Sequence, residues 1–386
     1  MLFKDVMVDE GLKKQLVMLA DENRISHAQL FLGKKGTHSF ALAVAFAQYI
    51  SCSDRHDGDS CGKCPSCLMF EKLQHPDLHL IFPNCTTKEV KNEPDSKQFM
   101  SQFRDFVFAH NYHIDFDDWV KEMQSENKQI SINIRDCSSI IQQNNIRSYQ
   151  GGYKIYILWK AEKLHYTAAP KLLKTLEEPE NKTLFLLLAE SSDQILPTIL
   201  SRTQLVKIPP LKENVIRQHL VNDEHIDEKV AADFAAISEG SYTKALGLIK
   251  KQDELHHLLK QYDNLLKSLN AYVTNADLTA MNYLEIQNMF GEIIKEGREK
   301  QKQFINYLSR MFRNELLLHQ KSEHLVKAMA AEHEILERYK ILFTVKNAAP
   351  LLNECNRALY HIERNVSAKL IFTDLYFKMA AAFAKR

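Results

Sequence analysis

Three apolar runs of strand length constrain this chain more than any other feature. They are AQLFLG (28–33), YKIYILW (153–159) and TLFLLLAE (183–190). The first leads into the helical stretch SFALAVAFAQYI, and the helical PKLLKTLEE separates the other two. Continuous apolar runs of this length read as buried strands. Strand, helix, strand in sequence calls for a parallel sheet covered by helices, an α/β fold.

Beyond Pro209-Pro210 the pattern changes. The chain has only 11 Gly and 10 Pro in 386 residues, few of them after Pro210, so long helices are expected there. This length suits two or three domains. Residues 1–210 form the α/β part, 211–252 a small helical bundle turning at Glu239-Gly240-Ser241, and 253–386 an all-helical region. Phe304, Tyr307, Leu308, Met311 and Phe312 recur at i, i+3, i+4, i+7 and i+8, which gives one apolar face. A last helix is expected around Ile362 to Phe383. Residues 84–131 fit the α/β part poorly. They are polar, with the aromatic islands FRDFVF and FDDWV, and read as an insertion with short helices of its own, a surface decoration rather than an active-site lid.

Charge narrows the function. Fifty Lys+Arg against 49 Asp+Glu leave a net charge of +1, which argues against a strongly basic, self-sufficient nucleic-acid binder. A hydrophobic content of 45% with 9% aromatics is that of a folded globular protein. No apolar run approaches the roughly 18 residues of a membrane span. The opening MLFKDVMVDEGLKK carries acids at once and has no signal-peptide apolar region. A cytoplasmic location with reduced cysteines is the expectation.

Four of the seven cysteines crowd into 52–67: Cys52, Cys61, Cys64 and Cys67, spaced C-x8-C-x2-C-x2-C. Adjacent CxxC steps let thiolates converge on one ion, and Cys52 can close the tetrahedron. Four sulfurs leave no open coordination position, so a structural zinc is expected and His56 and His75 are not needed. Unrelated thiols or a redox pair are the weaker alternative. Cys85, Cys137 and Cys355 read as ordinary residues.

After AQLFL comes GKKGTHSF (33–40) and then a helix, the setting of a P-loop. Laid on G-x-x-x-x-G-K-[ST], Gly33 fits and Gly36 gives a flexible loop. His38 then stands at the second Gly, Ser39 at the Lys and Phe40 at the Ser/Thr. The ammonium for the β/γ-phosphates and a Mg²⁺ ligand are both missing, and Lys34 and Lys35 stand on the wrong side of the loop to replace them. A nucleotide hydrolase also needs acids at the end of a second strand. Here Trp159 and Lys160 occupy those places, and Glu162 reads as a solvated helix residue. Two independent losses point to a nucleotide fold without hydrolysis.

HAQLFLGKKG, the four cysteines, HPDLHLI (75–81), GGYKIYIL (151–158), LLKTLEEPE (172–180) and LPTILSRTQ (196–204) occur in that order. Together they resemble the delta-prime family of bacterial DNA polymerase III clamp-loader subunits, within the AAA+ class. The likeness runs through residues 1–250 apart from the insertion, and more weakly into IERNVSAKLIFTDL (362–375). It implies an AAA+ core with a zinc module (52–67), a helical lid and a C-terminal helical collar. It also implies an ATP-driven assembly that places a sliding clamp on primed DNA, with gamma/tau-like and delta-like subunits as partners. In such a subunit ATP is neither bound nor hydrolysed, so the chain is no enzyme in isolation, though it belongs to a DNA polymerase holoenzyme. The family's Ser-Arg-Cys motif falls on Ser201-Arg202-Thr203. It makes Arg202 an arginine finger for the neighbour's ATP, the only catalytic role expected; a loop salt bridge is the plain alternative. Lys244 stands near the place of the motor subunits' sensor arginine, consistent with no nucleotide to sense. TLEEPE (175–180) reads as a helix end that packs and caps, and Arg135 as a solvated charge or a contact to a DNA phosphate. The competing functions are an ATP-hydrolysing gamma/tau-like subunit and an unrelated zinc-containing nucleic-acid-binding protein.

Overall fold

The computed structural model describes residues 1–125, 128–144, 146–149, 151–275 and 289–384. They divide into two compact units, Met1–Ile216 with Gly240–Lys244, and Arg217–Glu239 with Ala245–Arg386. The segment 211–252 is thus shared between the two.

The first unit is built on five parallel strands, β1 (Ala28–Gly33), β2 (Leu78–Ile81), β3 (Lys154–Trp159), β4 (Thr183–Ala189) and β5 (Gln204–Ile208), in the order β2-β3-β4-β1-β5. The three strands expected from sequence lie side by side at its centre. Every residue of β3 and β4 is buried, because helices cover both faces. The edge strands β2 and β5 carry no comparable signal. β2 has four residues, and Gln204, Leu205 and Lys207 of β5 are exposed, so neither reads as a buried strand.

Helix α1 (Glu10–Asp21) is capped by Asp9, whose carboxylate accepts from the Leu12 amide at 3.1 Å. Helix α2 (Ser39–Ser51) follows β1 and is buried along all but its ends, from Phe40 to Ile50. Helix α3 (Pro65–Glu71) starts at Cys64.

The insertion departs from its sequence reading. Residues 84–131 do form short helices, α4 (Met100–Ala109) and α5 (Phe116–Glu122), but they are not a surface decoration. Phe103 and Trp119 are fully buried, in one apolar cluster with Phe31, Phe46 and Leu188. Phe82 stacks on Phe103 with ring centroids 3.8 Å apart, and Trp119 meets both edge-on at 5.5 and 5.2 Å. The indole N–H of Trp119 donates to the Pro83 carbonyl at 2.8 Å. A buried carboxylate ties the insertion further to α6 (Ile134–Asn144): Asp136 accepts from the Ser96 amide at 2.7 Å, the Ser96 hydroxyl at 2.8 Å and the Asn84 side-chain amide at 3.0 Å. Phe99, Phe103, Phe106 and Trp119 of this polar segment turn inward while Phe108 stays exposed, so average polarity was a poor guide to its burial.

After α6 and β3 come α7 (Ala169–Glu177) and α8 (Pro197–Leu200). The second unit is helical. The stripe Phe304, Tyr307, Leu308, Met311 and Phe312 lies on the buried face of the 22-residue helix Arg298–His319 and packs in one core with Tyr262, Leu266, Phe372, Tyr376 and Phe383. The single last helix expected from Ile362 is instead two, Val345–Glu363 and Ala368–Ala384, because Asn365 turns the chain at φ +66°. No helix among the described residues is long and apolar enough to cross a membrane.

One group in this helical core works against stability. Glu315 is completely buried, and among the described residues neither carboxylate oxygen has a hydrogen-bond partner. Burial, reinforced by Glu337 and opposed by Lys340, pushes its carboxyl up to about 8. The folded state therefore holds this proton where the unfolded chain has lost it. Stability from this group is complete below about pH 4.5 and falls as pH rises toward 8. Glu315→Gln is expected to flatten the pH 5–8 dependence of urea unfolding and to stabilise the second unit at pH 8 by on the order of 4 kcal/mol. An unchanged pH profile would contradict the assignment. For the insertion, Trp119→Ala is expected to cost about 3–5 kcal/mol in the first unit; a loss under about 0.5 kcal/mol would restore the surface reading.

Candidate functional site

The four cysteines come together as their spacing predicts. Cys52 ends α2, Cys64 caps α3, Cys67 lies in its first turn, and Cys61 is carried by the loop between the helices. Their sulfurs all lie within 4.8 Å of one another. Cys52–Cys61, Cys61–Cys67 and Cys64–Cys52 are 3.6, 3.9 and 4.0 Å apart. Bonds of about 2.3 Å at tetrahedral angles require about 3.8 Å between sulfurs, so the set fits a four-coordinate metal ion. Backbone amides supply the charge compensation that thiolates need: Cys61 N–H donates to Cys52 Sγ and Cys64 N–H to Cys61 Sγ, each at 3.3 Å. The neighbouring Asp59 accepts from the Phe3 and Lys4 amides at 2.9 and 3.0 Å, fastening the N-terminal segment to this module.

The P-loop-like segment stands where the sequence puts it, between β1 and α2. Gly36 has φ +79°, and a Cβ there would come within 1.8 Å of Ser241 Oγ and 2.6 Å of Thr243 Oγ1, so only glycine is accommodated. The surroundings are protein. His38 is buried with its ring centroid 4.1 Å from that of His113 and 6.0 Å from that of Tyr242. Phe40, at the Ser/Thr position, packs on Phe103 and Tyr112 with centroids 5.9 and 6.5 Å apart. Ser39 begins α2. Lys35 ion-pairs with Asp115 at 3.1 Å and with Asp117. Desolvation disfavours its charge, but the two carboxylates outweigh it and hold the amine above its ordinary value.

At the end of β3, Trp159 is buried against Phe103 and Phe116. Lys160 follows in a left-handed conformation, φ +59°, and its ammonium meets Glu190 at 2.6 Å and Glu162 at 3.8 Å. Glu162 thus has a buried side chain and is not the solvated residue that its sequence position suggested. The tight turn after β3 leaves its side chain only 4% exposed, and burial raises its carboxyl pKa.

Arg202 lies between α8 and β5, in the first unit and 32% exposed. Its Nε donates to Glu177 Oε1 at 2.6 Å and Nη1 to the Thr198 carbonyl at 2.8 Å. Glu177, at the end of α7, is therefore an ion-pair partner as well as a helix end. The Thr203 hydroxyl donates to the Ile199 carbonyl at 3.2 Å, a local role that leaves the arginine undisturbed. Arg135 lines an open cleft of about 850 Å³ with Asn84, Lys128, Ser138 and Thr167, and its charge is met by Glu93 at 2.8 Å and Asp95 at 3.4 Å.

Sequence reasoning missed His113, Asp115, Asp117, Glu190 and the ion-pair role of Glu177. Each reaches its partner across 25 to 82 positions (Glu177–Arg202 and Lys35–Asp117 at the extremes), and no local period carries such a pairing. The acidic run Asp115, Asp117, Asp118 was the one available signal.

Residues 8–212, just over half of the chain, match the family described as DNA polymerase III, delta subunit. DNA polymerase III subunit delta' of Bacillus subtilis is 26% identical over 211 residues, 55% of this chain and 50% of that one. The Haemophilus influenzae delta' subunit is 26% identical over 251 residues, 64% and 63% of the two chains. The chain thus matches between half and just under two thirds of the length of these relatives. DNA polymerase III subunit tau of Escherichia coli is 25% identical over 251 residues, 64% of this chain and 32% of that one. Among solved structures, a DNA polymerase III gamma subunit-related protein of Thermotoga maritima aligns over 96% of this chain and 99% of that one, with a TM-score of 0.40 and 14% identity. With a parallel five-stranded sheet, a P-loop-like turn after its first strand and a family match through the whole of that sheet, the chain belongs to the DNA polymerase III delta subunit family, as a delta-prime-like member.

Proposed function

We propose that this chain is the non-hydrolysing, delta-prime-like subunit of an ATP-driven clamp loader that sets a sliding clamp on primed DNA. Its partners in this reading are gamma/tau-like and delta-like subunits, and contact with clamp and DNA is made through the assembled complex in the cytoplasm. Residues 1–210 serve as the AAA+ module, 211–252 as its lid and 253–386 as the collar.

The observation that carries the reading is the double replacement at the nucleotide site. Ser39 and Phe40 stand where a P-loop needs Lys and Ser/Thr, and Trp159 and Lys160 stand where the Mg²⁺ and water acids belong. An ammonium paired with Glu190 cannot hold a cation or activate water. An ATP-hydrolysing gamma/tau-like role finds no support in these residues, and the net charge of +1 speaks against an independent nucleic-acid binder.

Arg202 is the one group proposed to act in catalysis, on a neighbour's ATP. A guanidinium fork on a developing γ-phosphate charge is worth about 10³–10⁵ in rate. Its pair with Glu177 is part-exposed and easily exchanged, since such bridges contribute about 0–1 kcal/mol. Arg202→Ala should leave folding and metal content unchanged. In a complex reconstituted with gamma/tau-like and delta-like partners, it should slow turnover at the adjoining ATP site by about 10³-fold or more. Undiminished ATPase and clamp loading would remove Arg202 from the mechanism. Co-purification that fails with both partners would remove the clamp-loader reading itself.

The cysteine cluster is proposed to hold zinc as a structural ion that fixes the α2–α3 junction and, through Asp59, the N-terminal segment. Elemental analysis should find about one zinc per chain, released when the thiols are alkylated under denaturing conditions. Metal-free protein with the same thermal stability would refute it.

A further inference from the structure

We infer that residues 112–114 of the insertion, tied to the loop by Asp115 and Asp117, are the resident occupant of the nucleotide site: the chain fills its own P-loop cleft with protein and so holds the loop in shape without a ligand. This goes beyond loss of hydrolysis, because a site stripped of its catalytic acids can still bind nucleotide. Three observations carry it. The cleft bounded by the loop, Tyr112, His113, Trp159 and Glu190 retains about 20 Å³. That volume admits about one water, where a ligand of nucleotide size needs roughly 300 Å³ or more. The rings of His113 and Tyr112 lie against His38 and Phe40, the residues at the second P-loop glycine and at the hydroxyl that would ligand Mg²⁺. Beside the cleft, Asp115 and Asp117 pair with the exposed Lys35 and so tie this part of the insertion to the loop.

The arrangement also explains a buried helix start. The first turn of α2 has no side-chain cap at His38, and a bare helix N-terminus at a cleft draws anions or water. Packing His113 and Tyr112 over it leaves room for about one water and none for a nucleotide phosphate. The insertion thereby does for the loop what a bound nucleotide does for an intact one: it supplies contacts on the open side.

Hydrogen exchange of the full-length protein tests this directly, with and without Mg·ADP and Mg·ATP. In the wild type, peptides spanning residues 33–40 should be protected with no nucleotide present and unchanged when it is added. His113→Ala combined with Asp115→Asn and Asp117→Asn should speed exchange of those peptides by about tenfold or more, with β4 peptides unaffected. Lys35→Ala removes the same ion pairs from the loop side, and should reproduce part of the effect should the triple variant fail to fold. Exchange at 33–40 that is unaltered in the folded variants, with no nucleotide bound, would overturn the occupant role and leave the non-hydrolysing reading standing. Protection of the wild-type loop by added nucleotide would overturn the occupant role and show a site that still binds.

Discussion

From Thr183 to Ala189 β4 has no residue that reaches solvent, and β3 beside it has none either. A parallel sheet of this kind has two apolar faces and no amphipathic compromise, so it is stable only when both are covered. The first unit follows from that requirement. Helix α2 is buried over almost its whole length against one face, while α6 and α7 contribute Ile140, Leu172 and Leu176 to the cluster on the other. The insertion completes the cover with Phe103, Phe106 and Trp119, which makes it part of the sheet's packing and explains why it is held by both an aromatic stack and the buried Asp136.

The same packing decides the chemistry. An acid at the end of β3 would have to stay solvated or bind a cation; Trp159 instead joins the aromatic cluster. Lys160 pairs with Glu190 at 2.6 Å. The replaced P-loop residues and the insertion that packs on them are linked by direct contact, His38 with His113 and Phe40 with Tyr112. The guanidinium of Arg202 lies elsewhere in the unit, part-exposed and paired with Glu177.

The cysteine cluster rests on a different constraint. Four thiols converge because two short steps, Cys61–Cys64 and Cys64–Cys67, sit at one helix start while Cys52 ends the preceding helix. Backbone amides of Cys61 and Cys64 donate to two of the sulfurs. The helical unit shows the opposite economy: Glu315 is buried with no hydrogen-bond partner among the described residues, a local conflict tolerated inside a large apolar core.

The sequence by itself determined the central strands, the parallel sheet, the cysteine convergence, the replaced residues of the P-loop-like turn and the buried stripe at Phe304–Phe312. Each is written in a local period, a short spacing or the identity of a residue at a known place in a motif. Only the tertiary structure decided the short strand β2 and the exposed edge strand β5, the burial of Glu162, the break at Asn365 and the role of the insertion. These depend on which distant segments meet. Polar stretches hide a few inward aromatics, and pairs such as Lys35 with Asp117 or Arg202 with Glu177 form across long chain separations that leave no local pattern. Burial, too, is a property of neighbours: Glu162 is an ordinary acidic residue until the turn after β3 closes over it.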